Sequence, residues 1–306
     1  MEKNLTDDEI SSTLAATTEL DSDHHKTQLL KSNLDKFFAS SQGKQAFLSV
    51  TRSIDSDHHK TNILLETVRN KKFSQDQMTE MFVLIGDIDS DHHKANVLST
   101  LLKDRKLDHN NLGLLLNTAQ EINSDHHVAN VLMQALESPN LTSENHQVLL
   151  KAVQDIDSDH HKANILSKLL SAELDEQAIM SLLDITENTL SSDHHHANIL
   201  MHVTKKHNPQ GSLLKSYLKS VGNMGSDHHK ANVYIKLAKS DHSETDLLMI
   251  LHSMDNIDSD HHTANVLYEY SRQVSKSSDR VKQAYKEAVE NIYSESRYAK
   301  LLRAID

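Results

Sequence analysis

With 306 residues, only 2 Pro and 6 Gly, and no run of the roughly 18 apolar residues that a membrane span needs, the chain reads as almost wholly helical with no membrane-crossing segment. The lack of Cys excludes a disulfide frame and thiolate chemistry and fits a reducing cytoplasm. A formal charge of −12 and the absence of Trp argue against a nucleic-acid partner, which is usually held by Lys and Arg clusters and by aromatic platforms for the bases.

The chain opens on Met1, Glu2, Lys3, Asn4 and Leu5, without the basic-then-apolar pattern of a signal peptide. The first expected helix starts at Thr6, whose hydroxyl caps while Glu9 closes a capping box ahead of Ile10, Leu14 and Leu20. It ends before Asp21. From there a nine-residue pattern, Ser-Asp-His-His-Lys-Ala-Asn-Val-Leu in its third copy (Ser90 to Leu98), returns to the end of the chain. Its Asp falls at Asp23, Asp57, Asp91, Asp125, Asp159, Asp193, Asp227 and Asp260, giving six intervals of 34 residues and a last one of 33. A fixed period of that size indicates stacked repeats.

Each repeat is expected to hold two helices. In the third, Phe73 precedes Ser74, Gln77 sits three residues on, and Met78, Met81, Phe82, Ile85 and Ile88 follow at helical spacing. Leu107-Asp108, Leu141-Thr142 and Leu174-Asp175 mark later first-helix starts. A large apolar residue stands three places before every motif Asp: Leu20, Ile54, Ile88, Ile122, Ile156, Leu190, Met224 and Ile257. The recurring Ser is suited to cap the second helix, and the Asp after it favours the positive end of the helix dipole. At about 100° per residue, Asp91, Ala95, Leu98 and Leu102 share an inner face, and the Ala or Thr at the Ala95 position sets a close helix crossing. The connections Lys103 to Asp108, Glu137 to Leu141 and Lys205 to Ser212 are short, which implies antiparallel neighbours. After Ser271 the pattern fades into a degenerate closing unit at about 277–306, where Ser294 to Leu302 keeps the Ser, the Ala and the Leu but loses both His. The expected fold is an all-α, right-handed α-solenoid superhelix of about nine helix-turn-helix units with a 34-residue period, in a single domain over 1–306.

The candidate site is the recurring polar set. It comprises Ser56, Asp57, His58, His59 and Asn62; Ser90, Asp91, His92, His93 and Asn96; Ser124, Asp125, His126, His127 and Asn130; Ser158, Asp159, His160, His161 and Asn164; Ser192, Asp193, His194, His195 and Asn198; and Ser226, Asp227, His228, His229 and Asn232. The first helices have diverged while this nonapeptide has not, so the motif itself is under selection. One reading is a structural ladder, with His and Asn of each repeat bonding the Asp, Ser or backbone of the next. Another is a metal-binding His array, although adjacent His diverge by about 100° on a helix and the His-Glu-x-x-His spacing is missing. A third is a pH response, since the 23 His could move the formal charge from −12 to +11. Catalysis lacks support: the chain has neither a Gly-rich phosphate loop nor a nucleophile elbow, and no catalytic residue, metal or cofactor is expected.

The run Ser-Asp-His-His-Lys-Ala-Asn-Val-Leu resembles the Ser-Asp-x-x-Lys/Arg-Ala-x-x-Leu helical repeats of some bacterial proteins, including the extra-membrane tails of BlaR1-like M56 metallopeptidases. Those tails look like α-solenoids of the HEAT or TPR kind, so the resemblance implies a sensing or partner-binding role. It carries over no peptidase activity, because that enzyme's own His-Glu-x-x-His is absent. The period is also similar to that of transcription activator-like effectors, but the nearly constant turn leaves no base code, and the TPR pattern of Trp, Gly, Tyr and Pro is not present. The expectation is a non-enzymatic scaffold for a protein or peptide partner, with specificity on exposed first-helix positions. The alternative is a metal-binding or pH-responsive His array.

Overall fold

The computed structural model describes residues 6–70, 73–104 and 107–305. The reading of 1–5, the middle of the Lys103–Asp108 connection and the apolar side chains of Ile10 and Leu14 lie outside the described residues. The chain divides into two compact units, Met1–Asp155 and Ile156–Asp306. Among the described residues every regular element is a helix.

In the amino-terminal unit, first helices α1 (Asp7–Thr18), α4 (Ser41–Arg52), α6 (Gln75–Gly86), α8 (His109–Ala119) and α10 (Ser143–Gln154) alternate with second helices α2 (Asp23–Ser32), α5 (Asp57–Asn70), α7 (Asp91–Asp104) and α9 (Asp125–Ala135). A short α3 (Leu34–Phe37) follows α2 and tucks Leu34 and Phe37 into the core. In the carboxy-terminal unit the second helices are α11 (Asp159–Leu169), α13 (Asp193–His207), α15 (Asp227–Leu237), α17 (Asp260–Val274) and α19 (Glu295–Arg303). The first helices of this unit are α12 (Glu176–Thr189), α14 (Gly211–Gly222), α16 (Glu244–His252) and α18 (Asp279–Glu290), which precede α13, α15, α17 and α19 in turn. Within each unit first helices pack on first helices and second on second, in chain order. The result is a two-layer α-solenoid stack, because an amphipathic helix pair can bury its apolar faces only against its neighbours.

Helix starts follow the local chemistry. Thr6 with Glu9, and Ser74 with Gln77, form reciprocal capping boxes; Thr142 forms one with Asn145, a shorter amide doing the work of Glu or Gln. Asp108 and Asp175 accept from the Asn111 and Ala178 N–H groups at 2.8 and 2.7 Å. The link after α13 reverses through Asn208 and Gly211, with φ of 41° and 54°, where a left-handed backbone favours Asn and Gly.

The large apolar residue before each motif Asp is buried in every repeat except the first: Leu20 is 38% exposed, whereas Ile54 and Ile88 are fully buried. No described helix precedes α1 to cover it. The buried arc of the second helices is wider than the expected stripe and turned by one residue. In α7 it takes in Lys94, Ala95, Val97, Leu98, Thr100 and Leu101, while Asp91 and Leu102 are half-buried. Such a helix meets the second helices on both sides and its own first helix, so more than one stripe is covered. The carboxy-terminal unit fills its core with tyrosines as well as aliphatics: Tyr217, Tyr234, Tyr270 and Tyr285 are fully buried. Each hydroxyl finds a partner, at Thr204 Oγ1, Ser253 Oγ, the Tyr234 carbonyl and the Leu267 carbonyl, which offsets the cost of burying it.

The close crossing at the Ala95 position is occupied by Thr27 and Thr61 in the first two repeats, and their buried hydroxyls have no hydrogen-bond partner. Thr61→Ala removes a stranded polar atom and restores the residue the other repeats use. It is expected to raise stability by about 0.5–2 kcal/mol in chemical denaturation; a destabilised variant would show that the methyl packing of Thr61 outweighs its unpaired oxygen.

Candidate functional site

The motif places its residues on the first turn of each second helix, and the structure separates them into two groups. The first group crosses from one repeat to the next. In the amino-terminal unit the Asp57 carboxylate accepts from the Asp89 and Ser90 N–H groups at 3.2 and 2.7 Å. Asp91 does the same with Asn123 and Ser124 at 3.1 and 2.8 Å, and Asp23 accepts from Ser56 at 2.7 Å. In the carboxy-terminal unit Asp159 holds Ser191 and Ser192, Asp193 holds Gly225 and Ser226, and Asp227 holds Ser259. Asp260 extends the series to the degenerate last unit, but there it holds the Tyr293 N–H, one residue before Ser294, at 2.9 Å.

The Ser backbone is therefore as important as its hydroxyl. The capping bonds of Ser22, Ser158, Ser192 and Ser226 are long, 3.3 to 3.5 Å, and Ser124 and Ser259 make no side-chain cap. A carboxylate from the preceding repeat, aimed at the start of the helix, satisfies free N–H groups there and suits the helix dipole.

The second cross-repeat fastener was not among the expected residues. The motif Lys is buried: Lys26, Lys60, Lys94, Lys162 and Lys230 are 3–8% exposed, a rare placement for an ammonium group. Lys26 donates to the Ser53 carbonyl at 2.7 Å and Lys60 to the Asp87 carbonyl at 3.5 Å. In the carboxy-terminal unit Lys162 donates to Thr189 and Lys230 to Asn256, at 3.1 and 2.7 Å. All four acceptors lie where the next repeat's first helix or its extension ends, the negative end of the helix dipole. Lys94 instead reaches Glu121 Oε2 at 3.5 Å. Asp and Lys, one turn apart, thus grip the two sides of the same turn in the following repeat. The sequence held a signal for this: Lys94 sits next to Ala95, inside the buried arc.

His196 replaces the Lys in α13, is buried, and bonds Ser220 Oγ through Nε2 at 2.8 Å. Burial lowers its pKa, against weaker opposing attraction from Asp193 and Glu187. Val128 and Thr263 fill the position in α9 and α17, the latter bonding the Ile257 and Ser259 carbonyls.

The histidine pairs form the second group. The first His of each pair is exposed and the second half-buried in every copy from His58-His59 onward. Each first ring meets its own neighbour, and in the amino-terminal unit His24, His58 and His92 also meet the second ring of the following repeat, at His59, His93 and His127, with centroid distances of 5.7, 6.0 and 5.5 Å. In the carboxy-terminal unit the contacts are His160–His195, His194–His229 and His228–His262, at 6.0, 5.8 and 5.7 Å. These imidazoles form an edge-to-face row along each unit.

The asparagines do not reach the next repeat. Asn62, Asn130, Asn164, Asn198 and Asn232 bond Nε2 of the His one turn earlier on the same helix, at 3.0 to 3.1 Å. Residues four apart on an exposed stripe are nearer to each other than to a neighbouring helix. The Ser124–Asn130 and Ser158–Asn164 sets occupy these same positions on α9 and α11, and Asn96 is likewise exposed on α7. Among the described residues no three His, Asp or Glu side chains converge to hold a metal ion, and no helix is long and apolar enough to cross a membrane.

No protein-family model matches the chain, and no curated protein matches it. Among solved structures, a chain described as "Computational Design of Self-Assembling Cyclic Protein Homooligomers" is 8% identical over 98% of both chains with a TM-score of 0.15. At that score the likeness carries no argument about this chain.

Two outcomes follow from this geometry. Asp91→Ala strands two N–H groups at the start of the next second helix and is expected to cost about 2–3 kcal/mol. Asn96→Ala, on the exposed stripe, should cost no more than about 0.5 kcal/mol. Equal losses in urea titrations would contradict the division of the motif into two groups.

His196 supplies a signed pH dependence. Its folded pKa lies below the unfolded value of ~6.5, so its stabilising contribution is present above that value and is lost as pH falls below it. His196→Lys should lose less melting temperature between pH 7 and pH 5 than the parent chain; identical slopes would mean that His196 does not titrate differently in the folded state.

Proposed function

We propose that the chain is a non-enzymatic repeat scaffold that binds a protein or peptide partner through exposed faces of its solenoid. The observation that carries this reading is the engagement of the motif's reactive-looking groups in assembly. The Asp carboxylates accept backbone N–H bonds from the next repeat, and the Ser N–H groups donate those same bonds, which leaves surface rather than chemistry as what the array offers. The likeness of the nonapeptide to bacterial sensor-tail repeats supports the same role.

The first-helix row supplies variety. Its exposed positions include Gln45 and Ser49 on α4, Asp184 and Asn188 on α12, and Lys215 and Lys219 on α14. A groove of about 320 Å³ between α4 and α6 is lined by Gln42, Gln45, Ala46, Leu48, Ser49, Arg52 and Glu80. Extended faces of this kind are how solenoids bind partners. Selective capture of a partner by the immobilised chain should be lost when exposed first-helix residues such as Gln45, Ser49 and Arg52 are replaced, and retained in chelator. Loss in chelator would instead favour a metal-bearing His array.

The imidazole row favours a second reading, a pH-responsive stack. Protonating both rings of a contact places two positive charges about 6 Å apart, which costs on the order of 1 kcal/mol in a water-like medium. The motif Asp on the same first turn opposes this repulsion. A melting temperature that stays flat from pH 8 to pH 5 in a chain carrying His196→Lys would dispose of this second reading.

A further inference from the structure

The Asn of the motif is not explained by stability. Asp and Lys already fasten the repeats, while the first His and the Asn bond each other on the solvent side, an exposed i,i+4 pair worth only about 0.2–0.5 kcal/mol. Yet in the carboxy-terminal unit this pair stands on four successive second helices, as His160–Asn164, His194–Asn198, His228–Asn232 and His261–Asn265. Among the described residues, Asn198, Asn232 and Asn265 have no other hydrogen-bond partner, so each keeps its carbonyl oxygen and one N–H free. That is the donor–acceptor set that matches a peptide bond.

The spacing fits the same ligand. Packed helices lie about 8–10 Å apart, and three residues of an extended polyproline-II-like chain advance about 9.3 Å. An extended peptide crossing the row would therefore present an equivalent amide to each repeat.

The row ends in cations. In α19 the residue at the Asn position is Lys300, and Arg297 replaces the second His. Both are exposed, and among the described residues neither has an acidic partner. Arg297 Nη2 lies 3.3 Å from His261 Nδ1, and Lys300 Nζ sits 4.2 Å above the Tyr268 ring. With Asn265, Ile235 and Leu301 they line a groove of about 380 Å³ between α17 and α19, with Glu269 the only acid on its wall among the described residues. Where the amide partners stop, two positive groups begin, and a peptide's run of neutral amides likewise ends in a carboxylate. Exposed Lys205, Lys239 and Arg272 toward the other end of α13, α15 and α17 add positive charge beside the row.

We propose that the second-helix face of the carboxy-terminal unit binds the C-terminal segment of an extended acidic peptide. Its free carboxylate seats between Arg297 and Lys300, and its main-chain amides bond Asn265, Asn232 and Asn198. The proposal rests on the reading of the chain as a partner-binding scaffold and adds to the first-helix face a second docking face, with the chemistry of its occupant. The bidentate guanidinium suits a carboxylate, and amide pairing accepts any side chain that points away from the row.

The test uses the full chain and a fluorescein-labelled peptide of about four Glu-Ser-Ala triplets, one triplet per repeat, made with a free and with an amidated C-terminus. In fluorescence anisotropy the free form should bind about tenfold or more tightly than the amide. Arg297→Ala with Lys300→Ala should erase that difference while the chain stays folded, with only the small loss of stability expected from the exposed contacts to His261 and Tyr268. Asn232→Ala with Asn265→Ala should weaken both peptides by the same factor. Equal affinity of the two peptides for the parent chain, or no binding by either at about 1 mM, overturns the proposal. If neither peptide binds but first-helix substitutions still abolish partner capture, this docking site falls while the scaffold reading stands; loss of both removes the two together.

Discussion

An aspartate that leaves its own helix to hold the start of the next one is the constraint on which the stack depends. In a solenoid each repeat touches only its neighbours, so order along the chain has to be re-established at every junction. Apolar packing supplies most of the energy but tolerates sliding. A carboxylate within 2.7–2.8 Å of a particular N–H group does not. The motif Asp therefore fixes register, and it does so where the following helix has N–H groups with no intrahelical acceptor.

The buried lysine completes the junction. Its stem adds apolar surface to the core and its ammonium group ends on a carbonyl at the close of the next first helix. A buried cation costs a great deal unless it is compensated, and helix-end carbonyls supply the compensation together with the dipole. The substitutions are informative on this point. His196 keeps a polar bond to the neighbouring first helix, whereas Val128 abandons the bond and keeps only the packing. The Asp fastener recurs where the Lys does not, so the carboxylate is the less dispensable of the two.

Much of this was legible in the sequence. The all-helical repeat stack, the capping boxes at Thr6 and Ser74 and the buried apolar position before the motif Asp all follow from local rules whose partners lie within a few residues. What could not be read was which motif residue crosses the junction. Asp57, His58, Lys60 and Asn62 are all polar and lie within two turns, and their roles depend on where the next helix stands. Spacing alone favoured His and Asn as the links, because they share a stripe. The structure shows that this stripe faces solvent and that Asn62 turns back to His58, while Lys60, whose charge argues for the surface, is buried. Hydrophobic patterning misplaces such a lysine because it scores the charge and ignores the four-carbon stem.

The imidazole row stands between these two layers. Each second His is half-buried against the first His of the preceding repeat, so the row is partly a packing surface, and each first His carries an exposed asparagine on its outer edge. Changing the first ring therefore alters both the contact between repeats and the surface presented to solvent. Recurrence of the whole nonapeptide follows from that coupling. Its inner residues are held by the junction and its outer residues by whatever lies along the row, and one turn of helix is too short for the two sets to drift apart independently.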